Sequence, residues 1–505
     1  MRASTSLAAL SLASFSFAAP APAPVAVSIP EITPAPTAKE IAATTIEERQ
    51  LLGGLVGGVV HGVGGVVGGV GGVVGGVVGL VGGLLKGIDN AVASGDAQAV
   101  SSLLVQIQPT ARPTAISQVL AGQQSVWASP SRTDFYGALA TQVASGLGPL
   151  LDGTLSTLLE GSFPVGENSN DNDNKAIDGL YPRKASTTDA PYSVPEAQLR
   201  AAIYIPPGFT YGKKTPVLFV PGTASYGGTN FANNLRKLLT GVPYADPVWL
   251  NVPNAMLEDA QDNSEYVAYA INYISAISGS VAEPKKMAVI SWSQGGLDTQ
   301  WVLKYWPSTR QIVQDFLPVS PDFHGTVIGN ALCLNAGGDL NFCAPSLIQQ
   351  ERNSNYVTQL RKNGGDKAFV PTTTFYSAFD EVVEPMQGNA ASAYLPSGGP
   401  DAPASNNEVQ TVCALQPGGS FYGHAGVLFN PLTYALVVDA LTHPGTTGQV
   451  SRIDREAVCA DFAAPGLDLD DVLATTGLIA VAGPGLLLYP HKMVTELPLK
   501  GYATY

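Results

Sequence analysis

Three stretches carry residue types and an order suited to acyl transfer by a serine. Met287 to Ile290 is an apolar run that closes on Ser291-Trp292-Ser293-Gln294-Gly295-Gly296, and Leu297 to Trp306 behind it reads as a helix ended by Pro307. Strand, tight turn and helix are the context of a nucleophile elbow, in which a strained turn lifts the hydroxyl above a sheet and small neighbours let the helix pack close. Ser291 stands where the motif has its first glycine, so the pattern alone is also compatible with a loop serine capping the next helix. A serine hydroxyl attacks a carbonyl only when a histidine takes its proton and a carboxylate orients the imidazole; in this chain order the acid follows the serine and the base follows the acid. Asp380 lies just past the strand-like run Thr372 to Ser377, with Glu381 beside it. Of five histidines, only His424, His443 and His491 come after it. His443 precedes Pro444 and His491 sits in a Pro-flanked tail, whereas the small residues of Tyr422-Gly423-His424-Ala425-Gly426 leave an accessible, mobile ring, so His424 is the expected base. Backbone N–H groups of Gln294 and of Thr223 would meet a developing oxyanion, with the Thr223 hydroxyl as a further donor.

These residues need strands that end together. Thr215 to Val220 and Met287 to Ile290 are short apolar runs closing on Gly-rich turns, the mark of buried parallel strands in an α/β domain. The apolar stretch Asp470 to Ala482 reads as helical and, through Val472, Leu473, Leu478 and Ile479, as a wall for an acyl chain. The unit that carries the chemistry is expected to span 191–505.

The remainder divides by composition. Arg2, the apolar run Leu7 to Ala18 and the small residues up to Pro20 read as a secretory signal peptide, placed at 1–18. A Pro/Ala-rich pro-segment follows at 19–52, then a Gly/Val-rich linker at 53–87. Within the latter, the 31 residues from Gly53 to Gly83 hold 16 Gly and 12 Val. That block accounts for the excess in a chain with 55 Gly, and its glycine content argues against a membrane helix, so no stable transmembrane span is expected. Residues 88–160 read as a small helical region and 161–190, with its Asn/Asp run from Asn168 to Asn174, as a polar linker. A net charge of -14 argues against a nucleic-acid partner. Four cysteines, Cys333, Cys343, Cys413 and Cys459, suggest two disulfides in an exported chain; proximity favours 333 with 343 and 413 with 459 among three pairings. No Cys or His spacing suits zinc, and no metal or cofactor is expected.

Pro216 to Gly222, Ser291 to Gly296, Pro321-Asp322-Phe323-His324-Gly325-Thr326, Tyr376 to Glu381 and His424-Ala425-Gly426 together resemble the fungal lipase B family of the α/β-hydrolase superfamily, over about Tyr192 to Gly485. The resemblance implies an α/β-hydrolase fold with a mostly parallel central sheet flanked by helices. It implies Ser293, Asp380 and His424 as a triad and Thr223 with Gln294 as an oxyanion hole. It further implies Asp322 and Gln350 as polar residues near an acyl pocket and Trp292 as the floor of an alcohol-side pocket, with Val382 also facing substrate. The pair Cys413 and Cys459 matches a family disulfide; Ile205 and Val248 occupy the positions of another, and the tail after Pro484 lacks cysteine. The segment Leu334 to Phe342, bracketed by Cys333 and Cys343, is expected to border the active-site mouth, narrowing access or acting as a lid. The expected activity is that of a secreted, extracellular triacylglycerol lipase or broad carboxylesterase acting on an ester or lipid substrate. A non-interfacial esterase or polyester hydrolase is the second reading, and a surface-associated structural protein with a vestigial hydrolase domain the third. An intact Ser, Asp and His set argues against the third.

Overall fold

The central strand-forming runs in this chain are short and largely apolar on both faces, which requires cover on both sides. In the computed structural model seven strands form one sheet: β1 (Ile203–Tyr204), β2 (Pro216–Val220), β3 (Asp246–Leu250), β4 (Met287–Trp292), β5 (Val313–Val319), β8 (Thr372–Tyr376) and β9 (Ala404–Glu408), in the order β1-β3-β2-β4-β5-β8-β9. Two short strands, β6 (Leu334–Asn335) and β7 (Asn341–Phe342), pair separately as a hairpin. The structure describes residues 84–504 with breaks at 85, 89, 92–95, 108, 110–111, 128–134, 149–165, 182–187, 330–333 and 336–340. The expected signal peptide, pro-segment and nearly all of the Gly/Val block lie outside the described residues, as does Cys333.

All neighbours in the large sheet are parallel except β1, which runs antiparallel to β3. The register pairs Val220 with Ser291, Trp292 with Val319 and Val319 with Phe375, so β2, β4, β5 and β8 finish along one edge. Alternation along the strands sends Val217, Phe219, Ala288 and Ile290 into one core and Leu218, Val220, Met287 and Val289 into the other. The second core packs under two helices, α4 (Ala260–Ser278) and α5 (Gln294–Tyr305).

The first core is larger than the catalytic unit expected from sequence. It includes α6 (Pro431–Thr442), α7 (Leu469–Thr476) and α8 (Leu478–Leu488), and also three N-terminal helices, α1 (Ala97–Gln106), α2 (Ile116–Trp127) and α3 (Phe135–Ala144). Asp96 caps α1 by accepting from Ala99 N–H at 2.9 Å. Asp468 and Asp471 form a capping box on α7, which stops at Gly477 before α8 begins. The stretch Leu469–Leu488 is long and apolar enough to cross a membrane, with a mean hydropathy of 1.6, yet 78% of that window is buried inside the protein. Its apolarity serves the core.

The Asn/Asp run is tied to the edge of the sheet by its own amides. Asn168 donates to Thr229 Oγ1 at 2.9 Å, and Asn172 and Asn174 donate to the carbonyls of Ala201 and Ile203, each at 2.7 Å. Polar contacts also hold the cysteine-free tail. Lys500 Nζ donates to Glu265 Oε1 at 2.6 Å, and Glu496 accepts the N–H groups of Asn355 and Tyr356, each at 2.7 Å. Cys413 and Cys459 form a disulfide across 46 residues, and Cys343 is also disulfide-bonded. On the chain-entropy model a loop of that length contributes about 4 kcal/mol.

Candidate active site

Ser293 follows β4 directly and occupies φ 55°, ψ -129°, a left-handed conformation that costs roughly 1–3 kcal/mol for a residue with a side chain. The turn is held by Ser293 N–H donating to Val319 O at 3.0 Å and Gly296 N–H donating to Ser293 O at 2.8 Å. It also requires a bare backbone at Gly295, where an added Cβ would lie 2.5 Å from Pro221 O and 2.6 Å from Val220 O. The end of β2 and the first turn of α5 therefore touch, which sets Thr223 and Gln294 side by side.

Asp380 enters four residues after β8, on the same sheet edge. Its Oδ1 accepts the N–H groups of Val382 at 2.9 Å and Val383 at 2.7 Å, and its Oδ2 lies 2.7 Å from His424 Nδ1. His424 is only 1% exposed, and its Nε2 has no hydrogen-bond partner among the described residues. The accessible, mobile ring expected from sequence is thus corrected. Its small neighbours admit other groups: Glu381 Oε2 accepts His424 N–H at 2.7 Å, close enough to Gly423 that a Cβ there would lie 2.5 Å away. Trp292 stands on the ring's other flank, with centroids 5.0 Å apart, and donates Nε1–H to His424 O at 3.2 Å.

Burial alone would lower the His424 pKa, but Asp380, with Glu381 and Asp322 behind it, outweighs that and holds it above the ordinary histidine value. Burial and the Asp380 charge push Glu381 up to about 7. Burial also pushes Asp322 up to about 7. This residue is fully buried, is not among the residues that line the cavity, and lies within electrostatic reach of His424.

Gln294 opens α5, so its N–H has no intrahelical acceptor. Asn230 Oδ1 fixes the loop before Thr223 by accepting Gly222 N–H at 2.9 Å. The Thr223 hydroxyl lies 2.8 Å from Gln294 Oε1 and 3.0 Å from Gln350 Oε1. With one proton it can donate to only one of these amides at a time. Gln294 Nε2 in turn donates to Met256 O at 3.1 Å, a contact for which the sequence carries no signal.

Thr223, Trp292, Ser293, Gln350, Val382 and His424 all line one narrow cavity of about 40 Å³. Its remaining walls are mostly apolar, with Leu347, Val383, Ile479 and Leu486 beside Thr326. His443, set aside at the sequence level, is a half-exposed residue whose Nδ1 contacts the Asp439 carbonyl at a helix end. No group of three or more His, Cys, Asp or Glu side chains among the described residues could hold a metal ion.

Over 328 residues the chain is 35% identical to Lipase B of Pseudozyma antarctica, covering 64% of this chain and 89% of that protein. It belongs to the lipase B family. The crystal structure of Aspergillus fumigatus lipase B is similar throughout, with 43% identity and a TM-score of 0.73, covering 83% of this chain and 99% of that one. Residues 191–505 make up under two thirds of the chain, so this second likeness extends to residues before 191. No family model matches the chain. The mostly parallel sheet flanked by helices is the α/β-hydrolase fold of lipase B, and with these relatives the chain is a lipolytic carboxylic ester hydrolase.

Proposed function

We propose that the chain hydrolyses carboxylic esters, triacylglycerols included, through an acyl-enzyme on Ser293. The observation that carries this is the 2.7 Å Asp380–His424 hydrogen bond, with His424 Nε2 unpartnered in the cavity that Ser293 also lines. Asp380 fixes the tautomer with the proton on Nδ1, leaving Nε2 as the base. Ser293 Oγ attacks the ester carbonyl carbon as Nε2 takes its proton. The negative oxygen faces the N–H groups of Gln294 and Thr223. As the C–O bond breaks, Nε2 returns the proton to the leaving alcohol. Water then attacks the acyl-enzyme by the same route and releases the acid.

The apolar walls support esters with hydrocarbon chains. Export is supported by the leader-like residues Arg2 to Pro20 and by the Cys413–Cys459 disulfide, a bond of oxidising compartments. Wild type and Ser293→Ala should be compared on p-nitrophenyl esters of short and long acids and on emulsified triglyceride. Hydrolysis is expected to vanish in the variant on all of them. Persistent hydrolysis would remove Ser293 from the mechanism, and a wild type inactive on emulsion alone would make the chain a non-interfacial esterase.

A further inference from the structure

The N-terminal helices supply a wall of the catalytic cavity. Phe135, the first residue of α3, lines it together with Ser293 and His424, although it lies 158 positions before the serine. The half-buried ring packs against the cluster that holds Leu347 and Leu486, and shares the cavity lining with Val382 and with Ala482 of α8. Two aromatic neighbours set its tilt: Trp127 at 5.6 Å between centroids and Tyr136, edge-on, at 5.4 Å.

The position of α3 is fixed by more than apolar contact. Gln142 donates to Thr476 O at the end of α7 at 3.0 Å and accepts from Trp127 Nε1 at 3.1 Å, tying α2, α3 and α7 together. Leu139 is fully buried and seats against Gly483, and Arg112 pairs with Asp470 at the start of α7. A side chain anchored this firmly meets a substrate as a fixed surface.

We propose that Phe135 is a specificity-determining residue, closing the cavity against apolar substituents that extend beyond the ester group. This rests on the reading of Ser293 as nucleophile. Phe135→Ala removes the ring and leaves the polar ties of α3 in place, so long or bulky substrates should gain relative to short ones. Leu139→Ala loosens the same helix at a point outside the cavity lining.

The full-length wild type, both variants and Ser293→Ala are compared by kcat/KM on two substrate pairs, with thermal midpoints measured alongside. One pair is p-nitrophenyl hexadecanoate and butanoate; the other is 1-phenylethyl acetate and ethyl acetate. One methylene more or less in a hydrophobic pocket changes selectivity ~10- to 200-fold. In Phe135→Ala the large-to-small ratio of at least one pair is therefore expected to rise about 10-fold or more. In Leu139→Ala the midpoint should fall while both ratios stay at the wild-type values. Unmoved ratios in Phe135→Ala overturn the inference, as does an equal shift in Leu139→Ala, which would mark general loosening. If Ser293→Ala is inactive while the Phe135→Ala ratios stay fixed, the inference alone fails; hydrolysis persisting in Ser293→Ala overturns both readings.

Discussion

Asp380→Asn probes the proposed mechanism at a single atom, because the surroundings decide how the new amide must turn. The N–H groups of Val382 and Val383 both point at Oδ1, at 2.9 and 2.7 Å, and require an oxygen there. The asparagine NH2 group is then left facing His424 Nδ1, where Oδ2 stood at 2.7 Å. An amide donor at that distance needs Nδ1 as acceptor, which moves the ring proton to Nε2 and removes the lone pair that should deprotonate Ser293. Replacements of this kind in serine triads lower kcat by about 10⁴, roughly 5 kcal/mol of barrier. Shape and apolar walls are untouched, so KM should change little and the fold should persist. Steady-state kinetics on p-nitrophenyl butanoate, with a thermal melt as control, measure both parts. A folded variant with kcat within about tenfold of wild type would refute the assignment of Asp380 as the orienting acid.

The raised His424 pKa carries a sign: the ring serves as base only when neutral, so kcat/KM should rise with pH through a midpoint above the ordinary histidine value of about 6.5. Glu381→Gln removes one of the carboxylates that favour the imidazolium, and its pH–rate profile should lie at lower pH than that of wild type; an unshifted profile would count against this role. In Gly295→Ala the new Cβ meets two backbone carbonyls at 2.5 and 2.6 Å, so strand end or helix must yield by roughly half an ångström or more. Displacement beside Ser293 should lower kcat/KM, by up to about 10²-fold for ~1 Å, and lower the thermal midpoint; wild-type values for both would contradict the close approach.

What was legible in the sequence was local. The apolar runs of β2 and β4 are continuous because parallel strands are buried on both faces, and the turn after β4 declares itself through paired glycines. Order along the chain and histidine scarcity then pointed to Asp380 and His424. Sequence reasoning failed where small residues have two uses. Gly423 suggested freedom for His424, whereas its missing side chain admits Glu381. It also missed groups brought in from afar, such as the Met256 carbonyl and Phe135. Phe135 is absent from any motif, and its helical spacing reads as ordinary packing against a core. The Asn/Asp run shows the same limit: its composition suggests turns, but not that its amides have carbonyl partners at the edge of the sheet.

The joining of α1 to α3 with α7 and α8 bears on how the molecule is made. The apolar faces of these first helices, Val119, Leu120 and Leu139 among them, find their cover in a core completed by α7 and α8, more than 300 positions later. At ~5–20 residues per second, ribosomal synthesis leaves those faces waiting on the order of tens of seconds. Hydrolytic competence is likewise postponed, since the cavity lacks its α8 wall until the chain is nearly complete. The nascent protein is thus most exposed to aggregation, and least able to act on surrounding lipid, during the same interval.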